Sequence, residues 1–259
     1  MTDLDMTVPA TASRAPADRY ARWTGVATGA LTACWLSTLG HGDGVLYATP
    51  AFGLCAVTGV LTGDTLTAPA RGAVRTAGLA PRRVRDYVPP RTTLLLIVLA
   101  VALVALLAAA GSVASPDDLG RAGRALTLTC RGMTERHGPW PGFSYGLPML
   151  ASLAVATGGC GWSLRRIATR PGDEQSRRDR SLAIVAAWGV VVSTSLLGAA
   201  ATASGALTDM TCDGTAGTMA NALLLPLALV SLVTAPWMLF TICSPRAARR
   251  RRTDRGARR

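Results

Sequence analysis

The sequence predicts an all-α membrane bundle: a polytopic chain of six transmembrane helices with both termini in the cytoplasm. Three observations carry this. Six long apolar runs contain no Asp, Glu, Lys, Arg or His, and a bilayer core of about 30 Å needs roughly 20 apolar residues per helix. Only 16% of the 259 residues are charged, whereas a soluble domain carries about a quarter. All 27 basic residues are arginines, and they lie outside the runs, in the connecting segments and the two tails.

The predicted spans are Trp23–Leu39, Val45–Thr62, Thr92–Ala114, Ser144–Leu164, Ser181–Ser204 and Met219–Cys243. Ala, Leu, Val, Gly and Thr fill them, and such small residues let helix backbones approach closely in lipid. Gly25 with Gly29 on the first span, and Gly158, Gly159 and Gly161 on the fourth, are expected at such close contacts. Pro50, Pro226 and Pro236 each remove one helix hydrogen bond and permit a kink. Asn221 is the strongest polar side chain in a span and is expected to hydrogen-bond to a neighbouring helix.

Counting arginines by segment gives the orientation. The N-terminal tail has three, the turn at 40–44 none, segment 63–91 six, segment 115–143 four, segment 165–180 six, segment 205–218 none and the C-terminal tail eight. Alternate segments thus hold 23 against 4, and the positive-inside rule places both termini in the cytoplasm. Arg82, Arg83, Arg85, Arg165, Arg166 and the run Arg249, Arg250, Arg251, Arg252 are read as topology anchors. They also attract anionic lipid headgroups at the cytoplasmic face by roughly 1 kcal/mol each. Topology accounts for the pI near 10.8 without nucleic acid as a partner. Residues 1–21 are read as a disordered tail, residues 22–243 as the membrane domain and residues 244–259 as a basic cytoplasmic tail.

The longest outer segment, 115–143, opens Ser115-Pro116-Asp117-Asp118, a helix-start pattern with Ser as N-cap, Pro at the first position and acids in the first turn. Leu119, Ala122, Leu126 and Cys130 follow at spacings of 3, 4 and 4. The expectation is an amphipathic helix over about 116–131, stopped by Gly132. Its end, Ala125-Leu126-Thr127-Leu128-Thr129-Cys130-Arg131-Gly132, matches the last outer loop, Ala206-Leu207-Thr208-Asp209-Met210-Thr211-Cys212-Asp213-Gly214, apart from one inserted residue and one change of charge. This suggests either a duplicated hairpin or a chance match in an Ala-, Leu- and Thr-rich chain. Cys130 and Cys212 are the only two of the six cysteines in outer segments. The outer face of a bacterial inner membrane permits disulfides, so a Cys130–Cys212 bridge is expected. Two free thiols are the alternative.

The remaining motifs do not assemble into chemistry. Gly142-Phe143-Ser144-Tyr145-Gly146 fits the G-x-S-x-G nucleophile pattern, but Gly138-Pro139-Trp140-Pro141 before it is no strand. Both histidines, His41 and His137, precede Ser144, which excludes the hydrolase order Ser…Asp…His. Rhomboid proteases carry G-x-S-G on the fourth span and a His on the sixth; here Tyr145 replaces the Gly and no His follows His137. No ligand spacing suggests a metal, and no cofactor is expected. Ionisable residues within spans normally mark ion paths, and the six runs hold none. Leu31-Thr32-Ala33-Cys34 fits a lipoprotein cleavage box, but Thr24, Gly25, Thr28 and Gly29 dilute the preceding apolar region, and an uncleaved span is the reading adopted.

Around Asp43 to Asp64, at Arg82-Arg83-Val84-Arg85-Asp86-Tyr87-Val88-Pro89 and at Asp117-Asp118-Leu119-Gly120-Arg121-Ala122-Gly123-Arg124-Ala125-Leu126, the chain resembles multispan integral membrane proteins of high-GC actinobacteria with no assigned activity. The resemblance implies a source and a class, and the use of Arg in place of Lys fits GC-rich codon usage. The expected function is that of a non-enzymatic accessory, regulatory or cell-envelope protein acting through a partner membrane protein. The alternative is the permease subunit of an ABC-type exporter. Its cytoplasmic segment 63–91 would contact a separate ATPase, because this chain has no Walker motif.

Overall fold

The computed structural model describes residues 15–39, 44–66, 90–130, 132–169, 174–211 and 214–244. Among them are six helices: α1 (Ala15–Ser37), α2 (Gly44–Leu66), α3 (Pro90–Ser112), α4 (Phe143–Thr169), α5 (Glu174–Thr208) and α6 (Gly214–Cys243). Five of these, α2 to α6, are long and apolar enough to cross a membrane. Helix α1 is long enough, but Thr24, Gly25, Thr28, Gly29 and Thr32 dilute it and Asp18, Arg19 and Arg22 lie inside it. It also begins in what was expected to be a disordered tail, so the N-terminal boundary moves back to Ala15.

Helix α5 is the centre of the bundle. It touches α2, α3, α4 and α6, and 78% of its most apolar stretch is buried against 28–44% in the other four. Val190, Val191, Val192 and Leu196 are fully enclosed. Helices α3 and α6 instead turn rows such as Leu94, Val98 and Val101, or Leu223, Leu232 and Val233, outward. In lipid an outward apolar face carries no penalty, so burial inside the protein is reserved for the central helix.

Small residues set the α1–α2 contact. A Cβ added at Gly25 would lie 2.6 Å from the Gly59 Cα, and one at Gly29 3.0 Å from the Phe52 carbonyl oxygen. Gly25 and Gly29 therefore stand where the sequence places them, at backbone contact. The glycines of the fourth span do not. Among the described residues, nothing lies within 4 Å of a Cβ at Gly158 or Gly161, and Gly159 meets only the end of Leu61. Their side of α4 faces out of the bundle. Asn221 accepts a hydrogen bond from Ser204 Oγ, joining α6 to α5 as expected. Helices α2 and α6 continue through their prolines, as does α4 through Pro148.

The outer amphipathic helix is replaced by a three-stranded antiparallel sheet, β1 (Ala114–Ser115), β2 (Ala125–Cys130) and β3 (Met133–His137), in the order β1-β2-β3. The register runs from Leu126↔His137 to Cys130↔Met133. The physical reason is readable in hindsight. Gly120 and Gly123 adopt φ of 75° and 72°, which breaks any helix across them. Ala-Leu-Thr-Leu-Thr then alternates with a period of two and is rich in β-branched residues, as a strand requires. Gly132, at φ 81°, supplies the left-handed conformation that tight hairpin turns demand. Ser115 does not cap a helix; its hydroxyl donates to the Ala125 carbonyl at 3.0 Å. The matched stretch Ala206-Leu207-Thr208 closes α5, whereas Ala125-Leu126-Thr127 is strand. The similarity between the two stretches is thus not a structural repeat.

Candidate functional site

The cap formed by the sheet is fastened to one end of the bundle by three sets of contacts. Trp140 is buried, and its Nε1 donates to the Ala110 carbonyl at 2.9 Å. That carbonyl is one of the last four of α3, which have no partner within the helix. Trp140 and Leu126 also join Ala200, Ala203, Leu207, Met210 and Leu224 in one apolar cluster, which seats the sheet on α5 and α6.

A second fastening is aromatic. Tyr145, fully buried at the start of α4, stacks obliquely on Tyr47 of α2 with ring centroids 5.1 Å apart. The guanidinium of Arg124 lies 5.3 Å from the Tyr145 ring centroid, and its Nη2 donates to Tyr47 Oη at 3.4 Å. Tyr47 in turn donates to the Ser144 carbonyl at 3.4 Å. A cation over a ring is worth about 0.5–2 kcal/mol, more when water is excluded. One cap arginine thereby reaches both α2 and α4. The signal in the sequence, one arginine among four in segment 115–143, does not distinguish it from the others.

The third fastening uses Glu135 of β3. Its carboxylate accepts from the Thr211 amide at 2.9 Å and from the Thr211 hydroxyl, holding the segment between α5 and α6. Within the cap, Asp117 accepts from the amides of Leu119 and Arg121 at 3.0 and 2.8 Å and pairs with the Arg121 guanidinium at 2.6 Å. Partial desolvation pushes the Asp117 carboxyl up, but the Arg121 amide, guanidinium and charge, with the Leu119 amide, together hold it below its ordinary value.

Cys34, Cys55, Cys160 and Cys243 are free thiols, and Cys130, at the end of β2, is not one of these. Cys212 lies outside the described residues, and no complete disulfide pair lies within them. Arg82, Arg83, Arg85 and Arg249 to Arg252 also lie outside them. Arg165 is exposed at the end of α4, and Arg166 stacks its guanidinium 5.2 Å from the Trp162 ring centroid.

The Ser144 hydroxyl donates to the Ala122 carbonyl at 2.7 Å, inside the first turn of α4. No group of three His, Cys, Asp or Glu able to hold a metal occurs among the described residues.

The opposite end of the bundle carries charge that the sequence reading places outside the spans. Helix α2 runs on to Leu66, and Asp64, two residues past the predicted span, is only 4% exposed. Arg22 and Asp18 form a two-point pair at 2.9 and 2.7 Å on α1, beside Gly63. The signal for Asp64 was present, an acid within one turn of an apolar run, but that position more often marks a solvated helix end.

No protein-family model matches the chain, and no curated protein or solved structure matches it.

Proposed function

We propose that the chain is a non-enzymatic protein of the bacterial inner membrane that acts through a partner membrane protein bound at its outer cap. In this reading α1 is a sixth span, both termini are cytoplasmic and the sheet faces outward. The observation that carries it is the cap itself: three strands, Ala114–Ser115, Ala125–Cys130 and Met133–His137, form a sheet that Trp140, Arg124 and Glu135 fasten to three different parts of the bundle. A loop serving only to connect two spans needs no such fastening, and a rigid surface presents a fixed set of side chains to a partner. The arginine asymmetry supports the orientation.

The same reading includes a Cys130–Cys212 bridge as a fourth fastening. Thr211, the residue before Cys212, is held by Glu135, two strand positions from the Met133 that pairs with Cys130. That spacing is about 7 Å along a strand, close enough for the loop to reach. Peptide mapping under non-reducing conditions would recover the two cysteines in one linked peptide, and two alkylatable outer thiols would end this part of the reading.

Site-specific photocrosslinking tests the whole reading. A crosslinker at exposed Met133 of β3 should capture a discrete membrane protein in native membranes, and one at exposed Leu66 should not. Capture of an ATP-binding-cassette ATPase at Leu66, with nothing at Met133, would replace this reading with the exporter permease.

A further inference from the structure

Helices α3 and α4 touch at the cap end, where a Cβ at Gly111 would lie 3.1 Å from Phe143 Cε1 and one at Gly146 3.6 Å from Leu107 Cδ2. Beside that contact, an open cleft of about 430 Å³ runs toward the other end of the bundle. Its walls are α3 from Ile97 to Ala108 and Leu153 with Thr157 of α4, and its floor is Trp188 of α5. Trp188 Nε1 donates to Thr157 Oγ1 at 2.9 Å, and the Thr157 hydroxyl donates to the Leu153 carbonyl at 2.7 Å. With both polar groups satisfied, the cleft presents hydrocarbon to whatever fills it. Water finds no partner there, and a void would forfeit the dispersion contacts of its lining.

We propose that this cleft is a binding site for an anionic phospholipid, with one acyl chain over Trp188 and the headgroup at Arg91 and Arg165. Width selects a hydrocarbon chain over a helix. Ile97 to Ala108 spans about 16 Å along α3, so a cleft of about 430 Å³ is roughly 6 Å across. A helix with its side chains is about 10–12 Å wide and does not enter. Carbon atoms pack at about 4 Å, and a single acyl chain does.

Charge selects the headgroup. Arg91, at the start of α3, lies about 9 Å along the axis from Ile97, and Arg165 lies two turns past Thr157, about 12 Å. Both are exposed. Between Thr157 and Arg165, Trp162 is exposed with Arg166 stacked 5.2 Å from its ring centroid, an arrangement suited to the membrane interface, where tryptophan is enriched. At the cap end, by contrast, Arg121 and Arg136 are engaged by Asp117 and Asp118 at 2.6 and 3.1 Å. Basic sites between spanning helices take anionic headgroups. An acyl chain reaches about 15 Å, half of a hydrocarbon core of about 30 Å, so a headgroup at Arg91 lays its chain over Trp188. This requires that α3, α4 and α5 cross the membrane; it holds for either orientation and does not depend on the cap having a partner.

The experiment is photolabelling of the full protein in phosphatidylcholine vesicles containing a minor share of phosphatidylglycerol. One acyl chain carries a diazirine, on phosphatidylglycerol in one sample and on phosphatidylcholine in the other, and labelled peptides are mapped by mass spectrometry. The outward face of α6, with Leu223, Leu232 and Val233, reports bulk lipid. Relative to that face and to the share of each lipid, the phosphatidylglycerol probe should label the peptides carrying Ile97, Thr157 and Trp188 about 25-fold more than the phosphatidylcholine probe. Arg91→Gln and Arg165→Gln should each cut this excess about fivefold, the worth of one arginine at an anionic headgroup. Equal labelling of the cleft by the two probes overturns the proposal, as does an excess that survives in both variants. Cleft labelling below that of α6 with both probes also overturns it, and means that protein covers the groove. If a variant does not yield folded protein, the ratio of the two probes in the parent decides the matter alone.

Discussion

The α1–α2 seam and the outward face of α4 are built from the same residue and use it in opposite ways. On the seam, Gly25 and Gly59 bring two backbones so close that no Cβ fits between them. On α4, Gly158 and Gly161 have open space where a side chain would begin. Glycine in a helix costs roughly 0.5–1 kcal/mol relative to alanine. On the seam, backbone packing offsets that cost; on α4, no contact among the described residues does. A glycine pattern in a spanning helix therefore shows where close approach is possible and leaves open where it occurs.

The contrast gives an ordered set of tests. The largest effect is expected from Gly59→Leu, which drives a branched side chain into the Gly25 backbone. It should destabilise the chain by about 3–5 kcal/mol, seen as a large fall in the midpoint of thermal unfolding in detergent. A fall of under a degree would show that α1 is not held by this seam. Gly25→Ala adds one carbon at the same contact and should cost about 1–3 kcal/mol. If it left the midpoint unchanged, the backbones would have to stand farther apart than described. Gly158→Ala should move the other way, raising stability by about 0.5–1 kcal/mol through helix propensity alone. A loss there would mean that another molecule occupies the face.

The smallest effect belongs to a contact within the cap, the Asp117–Arg121 pair, which reaches water. The Asp117 carboxyl is depressed in the folded protein below its ordinary value of 3.8. Its contribution to cap stability is therefore complete above pH 3.8 and is lost as the pH falls through the lower folded value. The amide resonances of Leu119 and Arg121 should titrate with a midpoint below 3.8, and a midpoint at or above it would show that Arg121 does not hold the charge.

How much of this was legible follows from which forces act alone. The apolar runs of α2 to α6 were readable because an uncharged run of about 20 residues matches what a helix needs to cross the hydrocarbon core. Their ends were not: α4 and α5 extend beyond the predicted runs at both ends, since a helix continues past the hydrocarbon wherever backbone bonding and neighbours favour it. The cap was misread because Leu119, Ala122, Leu126 and Cys130 satisfy a helical period while Leu126 and Leu128 satisfy an alternating one. Two glycines with positive φ decided between them. Leu119 confirms the choice, being 76% exposed instead of sitting on an apolar face. Asp64 escaped because a span was taken to end at its last apolar residue. Arg124 escaped because its partners, Tyr47 and Tyr145, are distant in sequence and meet only when α2 and α4 come together.

Helix α3 meets the rest of the bundle chiefly through α5 and touches α4 only sparsely. Its partner is therefore made late. A ribosome that has delivered α1 to α4 leaves α3 surrounded almost wholly by lipid, beside a hairpin of α1 and α2 that is already joined. The emergence of α5 then supplies the surfaces that α2, α3 and α4 all share. The bundle is complete only once its fifth helix is in place, and a chain truncated before α5 would leave α2, α3 and α4 without the surface they share.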